Sequence, residues 1–204
     1  MNIIQKSKIW EKSPFDSKTR NKVRELKKNP DLLYDSFYKN LEFGTGGIRG
    51  IMGVGTNRVN KYTIGKTTQG LAKYLLKSFK NDNIKVVLAY DCRNNGVLYS
   101  KVVSNVLSAN GIICYVFRDI RPTPQLSFAI KELNAQCGIM LTASHNPPEY
   151  NGYKVYWSDG GQIVPPIDKN LIEIINSTKY EEINFKSEKK YIKKIRKNFD
   201  NKFI

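Results

Sequence analysis

One polar loop of the chain places a nucleophile beside a proton carrier. The segment TASHNPPEYNGYKVYWSDGGQI, residues 142–163, contains Ser144 and, directly after it, His145, which is the one histidine of the sequence. Apolar runs flank the loop on both sides. A serine next to a histidine suggests nucleophilic catalysis, and the question is which electrophile Ser144 would attack.

A serine-hydrolase triad fits this segment poorly. Such a triad needs a histidine oriented to take the serine proton, but adjacent side chains of an extended chain point to opposite faces. A direct relay from Ser144 to His145 would therefore need a special turn. The G-x-S-x-G pattern of hydrolases is not met either, because Asn146 stands at its second glycine position.

Two nucleotide-binding motifs are near misses. A P-loop ending in GKT at 65–67 would need its first glycine at position 60, which is Asn60. A dinucleotide motif starting at Gly44 would need its third glycine at position 49, which is Arg49. Neither motif is complete, so the glycine-rich segments do not indicate a nucleotide site.

The loop favours a third role for Ser144, that of a phosphoryl carrier. Small residues at the end of a strand can turn several backbone N–H groups toward an anion, and a phosphoserine bears about two negative charges. Lys154, ten residues further on, and Arg49, in a second glycine-rich segment, could balance that charge. A hard divalent cation on the phosphate oxygens, Mg²⁺ above all, would suit the chemistry.

The elements that must position these residues follow from the hydrophobic pattern. Apolar, β-branched runs predict strands, and apolar residues at helical spacing predict helices. Strands are predicted at 85–90, 112–118, 137–143 and 152–157, and helices at 14–29, 30–40, 62–79, 97–110, 124–133 and 165–177. The segment FGTGGIRGIMGVGTNR, residues 43–58, has six glycines between 44 and 55 and is predicted to be irregular.

The alternation of these strands and helices predicts an α/β layer structure. Functional sites of such folds lie at the carboxyl edge of the sheet, where strands end and loops begin. Ser144 directly follows the predicted strand at 137–143. We therefore expect the Ser144 loop at this edge.

Composition narrows the class of protein. The 204 residues, 40% of them hydrophobic and 25% charged, are typical of a globular domain with a sizeable core. No apolar run approaches the roughly 20 residues of a membrane helix, and the first residues lack the apolar core of a secretory signal. Three distant cysteines without a C-x-x-C pair indicate neither a zinc site nor disulfides. We expect a cytoplasmic protein without a membrane partner.

The formal net charge of +16 would allow a nucleic-acid partner. The excess is mainly lysine scattered along the whole chain, beside abundant Asn, Ile and Tyr. The one dense basic run, KSEKKYIKKIRKNFDNK at 186–202, is predicted to be the solvated face of a helix. We expect no nucleic-acid partner, whereas anionic ligands such as sugar phosphates suit the charge.

The residues around Ser144 also allow plainer roles. Arg49 could donate hydrogen bonds to carbonyl groups of a glycine loop. His145 could serve to orient its own loop and have no catalytic role, and Lys154 could be an ordinary surface lysine. Asp91 and Arg93 flank Cys92 at a strand end. We predict a structural salt bridge for that pair.

Several motifs together resemble one enzyme family. TASHNPPEYNGYKVY is similar to the active-site loop of the α-D-phosphohexomutases, the phosphoglucomutase/phosphomannomutase superfamily, and FGTGGIRGIMGVGTNR resembles the N-terminal loop of the same family. AYDCRNNG, RPTPQLSFAI and DGGQI follow in the order and spacing that the family shows. The resemblance extends from about residue 38 to 178 and is strongest to the large bacterial members.

The resemblance implies a phosphoserine enzyme. The phosphoryl group on Ser144 would pass to a hexose 1- or 6-phosphate of glucose or mannose, and the bisphosphate intermediate would return its other phosphoryl group to the serine. His145 matches a family residue beside the phosphoserine, Lys154 a lysine proposed as acid or base, and Arg49 an arginine of the site. Mg²⁺ is the implied cofactor, with glucose 1,6-bisphosphate as activator.

The resemblance also implies the domain organisation. Residues 41–180 would form the first domain of the family, a three-layer α/β/α domain with a mixed, mostly parallel sheet. An N-terminal helical extension at 1–40 would precede it. Residues 181–204 would form a linker and the first helix of an incomplete second domain.

The other three domains of the family have no counterpart in the chain. Neither the metal-binding string D-G-D-x-D-R nor the sugar-recognition string G-E-E-S-G occurs. Ser144, through its phosphate, would be the one metal ligand. The chain is expected to be a fragment whose partners are the missing domains II–IV, and to be inactive as a mutase by itself. The alternative is a catalytically silent folding or interaction module.

Overall fold

A mixed six-stranded sheet forms the centre of the computed structural model, which describes residues 2–44, 46–80 and 83–203. In spatial order the strands are β1 (Gly47–Ile51), β5 (Tyr150–Trp157), β4 (Cys137–Leu141), β2 (Lys85–Tyr90), β3 (Ile113–Phe117) and β6 (Ile192–Ile195). Within this described sheet, β4–β2, β2–β3 and β3–β6 pair in parallel, and β1–β5 and β5–β4 pair antiparallel. The predicted mixed and mostly parallel sheet is confirmed.

Helices connect and cover the strands. In the described part of the chain the α-helices are α1 (Ile3–Ile9), α2 (Ser17–Leu26), α3 (Pro30–Phe37), α4 (Lys61–Ser78), α5 (Gly96–Ala109), α6 (Thr123–Glu132) and α7 (Ile167–Ser177), and short 3-10 helices follow α7. All six predicted helices are confirmed. The pattern did not predict α1, which begins with a capping box between Asn2 and Gln5. None of the helices described is both long and apolar enough to cross a bilayer.

Strand β2 shows how the helices divide into two layers. Val86 and Leu88 pack in the larger core, together with residues of α4, α5 and α7, whereas Val87 and Ala89 pack in a second core with residues of α6. Alternate residues of a strand point to opposite faces, so the sheet has helices on both sides. This burial on both faces explains why residues 85–90 read as a continuous apolar run. The three-layer α/β/α architecture is confirmed.

An aromatic cluster fastens the N-terminal helices to this domain. The indole of Trp10 stacks on Phe15 at 4.4 Å, and it meets Phe37, Tyr62 and Tyr180 edge-on at 5.4–5.9 Å. Tyr62 belongs to α4, and Tyr180 follows α7. Trp10, Phe15, Phe37 and Tyr62 are all buried. Large ring burial of this kind is a major source of stability, so residues 3–37 pack on the domain instead of forming a separate tail.

The glycine-rich segment contains a strand, and the prediction that it is irregular was wrong in this respect. Gly47–Ile51 forms β1 at the edge of the sheet and pairs with Tyr150–Lys154 of β5. A Cβ on Gly47 would lie 2.2 Å from the carbonyl oxygen of Tyr153. Glycine thus permits a close backbone approach here, and cross-strand hydrogen bonds override its low strand propensity.

The C-terminal basic run does not form one helix, so that prediction was also wrong: two 3-10 helices, Lys189–Tyr191 and Lys197–Lys202, lie on either side of a strand. Ile192–Ile195 forms β6, which extends the sheet parallel to β3 beyond the point where the second domain was expected to begin. The free edge of β3 supplies hydrogen-bond partners, and Ile195 is buried against the α6 side of the sheet. Exposed Lys193 and Lys194 are typical of an edge strand that resists further pairing. Met1 and Ile204, at the ends of the predicted first and last segments, lie outside the described residues.

Asp16 connects the N-terminal helices to α4 electrostatically. Its carboxylate caps α2 by accepting from the Thr19 N–H (2.8 Å), and it also binds the Lys61 ammonium (2.8 Å) and the Tyr62 hydroxyl (3.1 Å). Partial burial acts to raise the pKa of Asp16. The hydrogen bond and charge of Lys61, with the bonds from Thr19 and Tyr62, outweigh it and hold this pKa well below its usual range.

We predict that Asp16→Asn lowers the free energy of unfolding at pH 7 by about 0.5–1 kcal/mol, since the pair with Lys61 is largely solvent-exposed. Asparagine caps helices as well as aspartate does, so the variant removes mainly the charge. The pKa of Asp16 is lower in the folded state than the unfolded value of about 4. The extra stability of the wild-type chain is therefore present above pH 4 and is lost as the pH falls toward 2. Urea unfolding at pH 7, 4 and 2.5 measures the difference, and a pH-independent difference would contradict the assignment.

Candidate functional site

Ser144 lies at the carboxyl edge of the sheet, three residues after β4 ends at Leu141. This is the predicted position. Its side chain is exposed, and its backbone adopts the left-handed conformation with a φ of +58°. A serine in this region is uncommon, because the conformation costs free energy in every residue except glycine. Surrounding contacts must therefore hold the turn in place.

Thr142 and Asp91 provide the first of these contacts. The Ser144 N–H donates to the Thr142 hydroxyl oxygen (2.9 Å), and the Thr142 hydroxyl in turn donates to Oδ2 of Asp91 (2.6 Å). Asp91 directly follows β2, and its own N–H donates to the Leu141 carbonyl (3.2 Å). The ends of two neighbouring parallel strands are thus tied to the backbone of Ser144.

Arg93 provides the second set of contacts. Its guanidinium donates to four backbone carbonyls of the loop, those of Ser144 (2.6 Å), Asn146 (2.6 Å), Pro147 (2.8 Å) and Tyr150 (3.1 Å). Its Nε lies 3.4 Å from Oδ2 of Asp91, and its side chain is only 10% exposed. The predicted structural salt bridge is confirmed. It also does more than predicted, because Arg93 holds the whole Ser144 loop.

His145 lies closer to the serine than an extended chain would allow. Its Nδ1 is 3.4 Å from Ser144 Oγ, and the left-handed turn at Ser144 is what brings the two neighbouring side chains together. This separation is long for a hydrogen bond from a hydroxyl to a ring nitrogen. A hydrolase triad would also need a carboxylate to orient the imidazole, but Asp91 is engaged by Thr142 and Arg93. The geometry does not favour hydrolase chemistry.

Arg49 reaches the loop from β1. It lies opposite Gly152 in the antiparallel pair, its side chain is exposed, and its Nη1 donates to the Asn146 side-chain oxygen (2.9 Å). The guanidinium of Arg49, unlike that of Arg93, has one described hydrogen-bond partner and no described acidic one. A second anion-binding edge of this guanidinium is therefore available for a ligand.

Lys154 is placed by strand register. It pairs with Gly47 of β1 and Met140 of β4, and it is partly buried. Because Gly152 and Lys154 are two residues apart on β5, and Arg49 pairs with Gly152, Arg49 and Lys154 occupy diagonal positions on the same face of the sheet. The fold thus places His145 next to Ser144 and brings Arg49 into contact with Asn146 of the same loop, and strand register puts Lys154 on the same sheet face as Arg49.

The charge around Ser144 comes from side chains more than from backbone N–H groups. The N–H groups of Ser144 and Asn146 donate within the loop, to Thr142 and to the Ala143 carbonyl. The expected cradle of several backbone N–H groups around an anion is therefore at best partial. Apart from Arg93, the basic side chains with described contacts to this loop are Arg49, through Asn146, and His145.

A cleft of about 460 Å³ opens beside Arg49. Its other charged lining residues are two basic ones, Lys39 and Arg58, and two acidic ones, Asp35 and Glu42. Ser144 and Lys154 do not line it in the part of the chain that the structure describes. The cleft therefore adjoins the Ser144 loop without being the place where Ser144 would react.

The residues present do not make a magnesium site. Mg²⁺ prefers octahedral oxygen ligands, usually including carboxylates. Among the described residues, no group of three carboxylate, imidazole or thiol side chains lies close enough to hold a metal ion. Asp91, which is tied to Ser144 through Thr142, is itself engaged by Thr142 and Arg93.

Comparison with known proteins identifies the family. The family model for phosphoglucomutase/phosphomannomutase, alpha/beta/alpha domain I, matches residues 40–182. The chain belongs to this family. The Ser144 loop, Arg49 and Lys154 all lie inside the matched region of this phosphohexomutase domain.

Similar proteins agree with this assignment. A phosphoglucomutase of Staphylococcus aureus (strain MRSA252) is 46% identical over 129 residues, which is 63% of this chain and 23% of that protein. A human phosphopentomutase is 38% identical over 182 residues, 85% of this chain and 30% of that protein. The chain thus spans about a quarter of the length of the curated relatives it matches.

Solved structures agree on the fold. The crystal structure of a Thermus thermophilus protein assigned to the phosphomannomutases superposes with a TM-score of 0.66 at 26% identity, over 77% of this chain and 33% of that one. A phosphoglucomutase/phosphomannomutase family protein from Burkholderia thailandensis gives a TM-score of 0.55 at 22% identity, over 79% of this chain and 34% of that one. The second likeness supports the fold alone.

Sequence reasoning missed Thr142, although a weak signal was present. A threonine two residues before a loop residue can accept that residue's N–H through its hydroxyl. No feature of the sequence predicts the left-handed backbone conformation of Ser144, because serine is not a residue that favours it.

Gly152 is the residue that lets β1 and the Ser144 loop approach each other. A Cβ at this position would lie 2.6 Å from the carbonyl oxygens of both Ile48 and Thr142. We predict that Gly152→Ala lowers the free energy of unfolding by about 1–3 kcal/mol, because backbone has to move on both sides.

The matched control is Gly161→Ala, whose new Cβ would meet only the Asp159 side chain, at 3.3 Å. Urea unfolding compares the two variants with the wild-type chain. Equal stabilities of Gly152→Ala and Gly161→Ala would show that the close approach at Gly152 is not required.

Proposed function

We propose that this chain supplies the phosphoryl-carrying serine of a phosphosugar mutase that interconverts hexose 1-phosphate and hexose 6-phosphate of glucose or mannose. The observation that carries the proposal is the exposed Ser144 in a left-handed turn at the carboxyl edge, with His145 beside it and Arg49 bound to Asn146 of the same loop. The family match supports this role for the domain.

In the proposed reaction, a sugar hydroxyl attacks the phosphorus of phosphorylated Ser144. The bond from that phosphorus to Ser144 Oγ breaks while a bond to the sugar oxygen forms, which yields a sugar bisphosphate. The bisphosphate turns over and returns its other phosphoryl group to Ser144 Oγ. Phosphoryl transfer depends mainly on positioning and charge stabilisation, and these are the tasks we assign to the surrounding cations.

Each cationic residue has a proposed role. Lys154 acts as the acid or base that exchanges a proton with the sugar hydroxyl. Arg49 and His145 stabilise the negative charge of the transferring phosphoryl group. These roles suit their positions, since Arg49 is diagonal to Lys154 on the sheet and His145 is adjacent to Ser144.

A Mg²⁺ ion belongs to the proposal as a cofactor of the complete enzyme, with glucose 1,6-bisphosphate as activator. This chain would contribute one ligand, a phosphate oxygen on Ser144. Its described residues offer no carboxylate set for the remaining positions. We therefore propose that those ligands come from domains II–IV of a longer enzyme, in the cytoplasm, with residues 41–180 as its first domain.

A pentose phosphate is the second candidate substrate. The human phosphopentomutase matches 85% of this chain, compared with 63% for the staphylococcal phosphoglucomutase. The side chains named in the proposal would serve either sugar, because they act on the phosphoryl group and on the attacking hydroxyl, which both sugars have. A catalytically silent interaction module is the remaining alternative.

We predict that Ser144 carries the phosphoryl group in a reconstituted enzyme, in which this chain replaces the segment that it matches in the staphylococcal phosphoglucomutase. After incubation with glucose 1,6-bisphosphate and Mg²⁺, peptide mass spectrometry should locate one phosphoryl group on Ser144. Ser144→Ala should abolish turnover of glucose 1-phosphate, whereas Ser177→Ala, at an exposed serine ending α7, should not.

Ribose 1-phosphate and mannose 1-phosphate in the same assay identify the sugar class. The 204-residue chain alone should give no turnover with any of them, since its site could not exclude water. A phosphoryl group on another residue, or full activity of Ser144→Ala, would disprove the proposal, and a reconstituted enzyme that folds but is inert would favour the silent module.

We predict that Lys154→Met lowers kcat of the reconstituted enzyme by about 10²–10⁴-fold and changes KM little, because a positioned acid or base acts in the transition state. Lys169→Met, at an exposed lysine of α7, is the control for loss of one positive charge. Steady-state kinetics measures both. If kcat of Lys154→Met stays within about threefold of wild type, Lys154 is a surface lysine without a catalytic role.

A further inference from the structure

The backbone of Ser144 needs a partner that holds it in its left-handed turn. Neither glycine nor asparagine occupies the position, so the conformation is not favoured by the residue itself. Arg93 fixes the carbonyl side of the peptide that follows Ser144. The N–H side of Ser144 is fixed by one atom, the Thr142 hydroxyl oxygen.

The hydrogen bonds of Thr142 have a defined direction. An ionised carboxylate only accepts, so Asp91 takes the Thr142 hydroxyl proton at 2.6 Å and leaves an oxygen lone pair of Thr142 for the Ser144 N–H. Asp91 is itself held in one orientation. Its Oδ1 accepts from the backbone N–H of Arg93 (3.1 Å), and its Oδ2 lies 3.4 Å from the side-chain Nε of Arg93. Thr142 is only 6% exposed, so water does not readily replace it.

We propose that Thr142 is a positioning residue for Ser144. By accepting the Ser144 N–H it sets the backbone angle φ at Ser144, and with it the direction in which Oγ projects from the edge of the sheet. The inference rests on the proposed function, in which this Oγ exchanges a phosphoryl group. A displacement of about 1 Å at a reacting atom can cost about 100-fold in rate.

Valine and serine variants separate this role from simple packing. Thr142→Val keeps the branched shape but removes both hydrogen bonds, and Thr142→Ser keeps the hydroxyl but removes a methyl group. Asp91 retains its contacts with Arg93 in both variants. Thr178→Val is the control, because it removes another buried hydroxyl, which donates to the Ile174 carbonyl at the end of α7.

The first measurement uses the 204-residue chain itself and needs no activity. NMR-detected hydrogen exchange reports on the Ser144 N–H and, for comparison, on the N–H groups of β4. We expect Thr142→Val to speed exchange at Ser144 by about tenfold or more relative to β4, because one local hydrogen bond is lost. Thr142→Ser and Thr178→Val should leave this ratio within about threefold of wild type.

The second measurement uses the reconstituted enzyme with glucose 1,6-bisphosphate as phosphoryl donor. Thr142→Val should lower kcat by about 10–100-fold with little change in KM, and Thr142→Ser should restore most of kcat. A role in stability alone would not lower kcat in Thr142→Val and restore it in Thr142→Ser, since both variants are compared at a temperature where they are folded.

The two measurements distinguish the possible failures. If the wild-type reconstituted enzyme places no phosphoryl group on Ser144, the proposed function fails, and the exchange data still decide whether Thr142 holds the turn. Unchanged exchange at Ser144 in Thr142→Val, or a Thr142→Ser variant as impaired as Thr142→Val, would overturn the positioning role.

Discussion

The guanidinium of Arg93 holds the loop on which the candidate site depends. This loop connects β4 to β5, and its carbonyls at Ser144, Asn146, Pro147 and Tyr150 all accept from Arg93. One planar group with five donors can satisfy four such carbonyls only when the backbone curls around it. Asp91 keeps that group in position. Ser144, Asn146 and, through Asn146, Arg49 take their places from this arrangement.

The antiparallel edge of the sheet contributes the other half of the site. Strands β1 and β5 are far apart in the chain and pair antiparallel at the edge of the sheet. This pairing places Arg49 opposite Gly152 and diagonal to Lys154. Glycines at 47 and 152 allow this, because any side chain there would strike backbone oxygens. The pairing of β1 with β5 and the hydrogen bonds of Arg93 therefore both fix the position of the Ser144 loop relative to Arg49.

The anion-binding character of the site is concentrated in side chains. Internal hydrogen bonds use the N–H groups of Ser144 and Asn146. In the proposed function, a phosphate on Ser144 relies on Arg49, Lys154 and His145 for its charge balance, since Arg93 is paired with Asp91 and donates to carbonyls. Arg93 thus has a structural role in the Ser144 loop, whereas Arg49, on the edge strand β1, is the arginine that we propose for binding a ligand.

The sequence by itself determined most of the elements, the α/β class and the location of Ser144 at the end of a strand. It could do so because strand and helix periodicity are local properties, and because the motifs around Ser144 and Arg49 are distinctive. It also indicated that Asp91 and Arg93 form a structural pair, which the structure confirms.

Only the tertiary structure decided the rest. Gly47–Ile51 and Ile192–Ile195 become strands because neighbouring strands β5 and β3 offer free edges, which no local pattern reveals. The left-handed turn at Ser144 exists because Thr142 and Arg93, distant from each other in sequence, bind its two sides. The catalytic roles of Ser144, His145, Lys154 and Arg49 remain predictions. What the structure adds is the physical reason why Arg49 lies against the loop of Ser144 and His145: hydrogen bonds between residues far apart in the chain hold the loop and Arg49 in place.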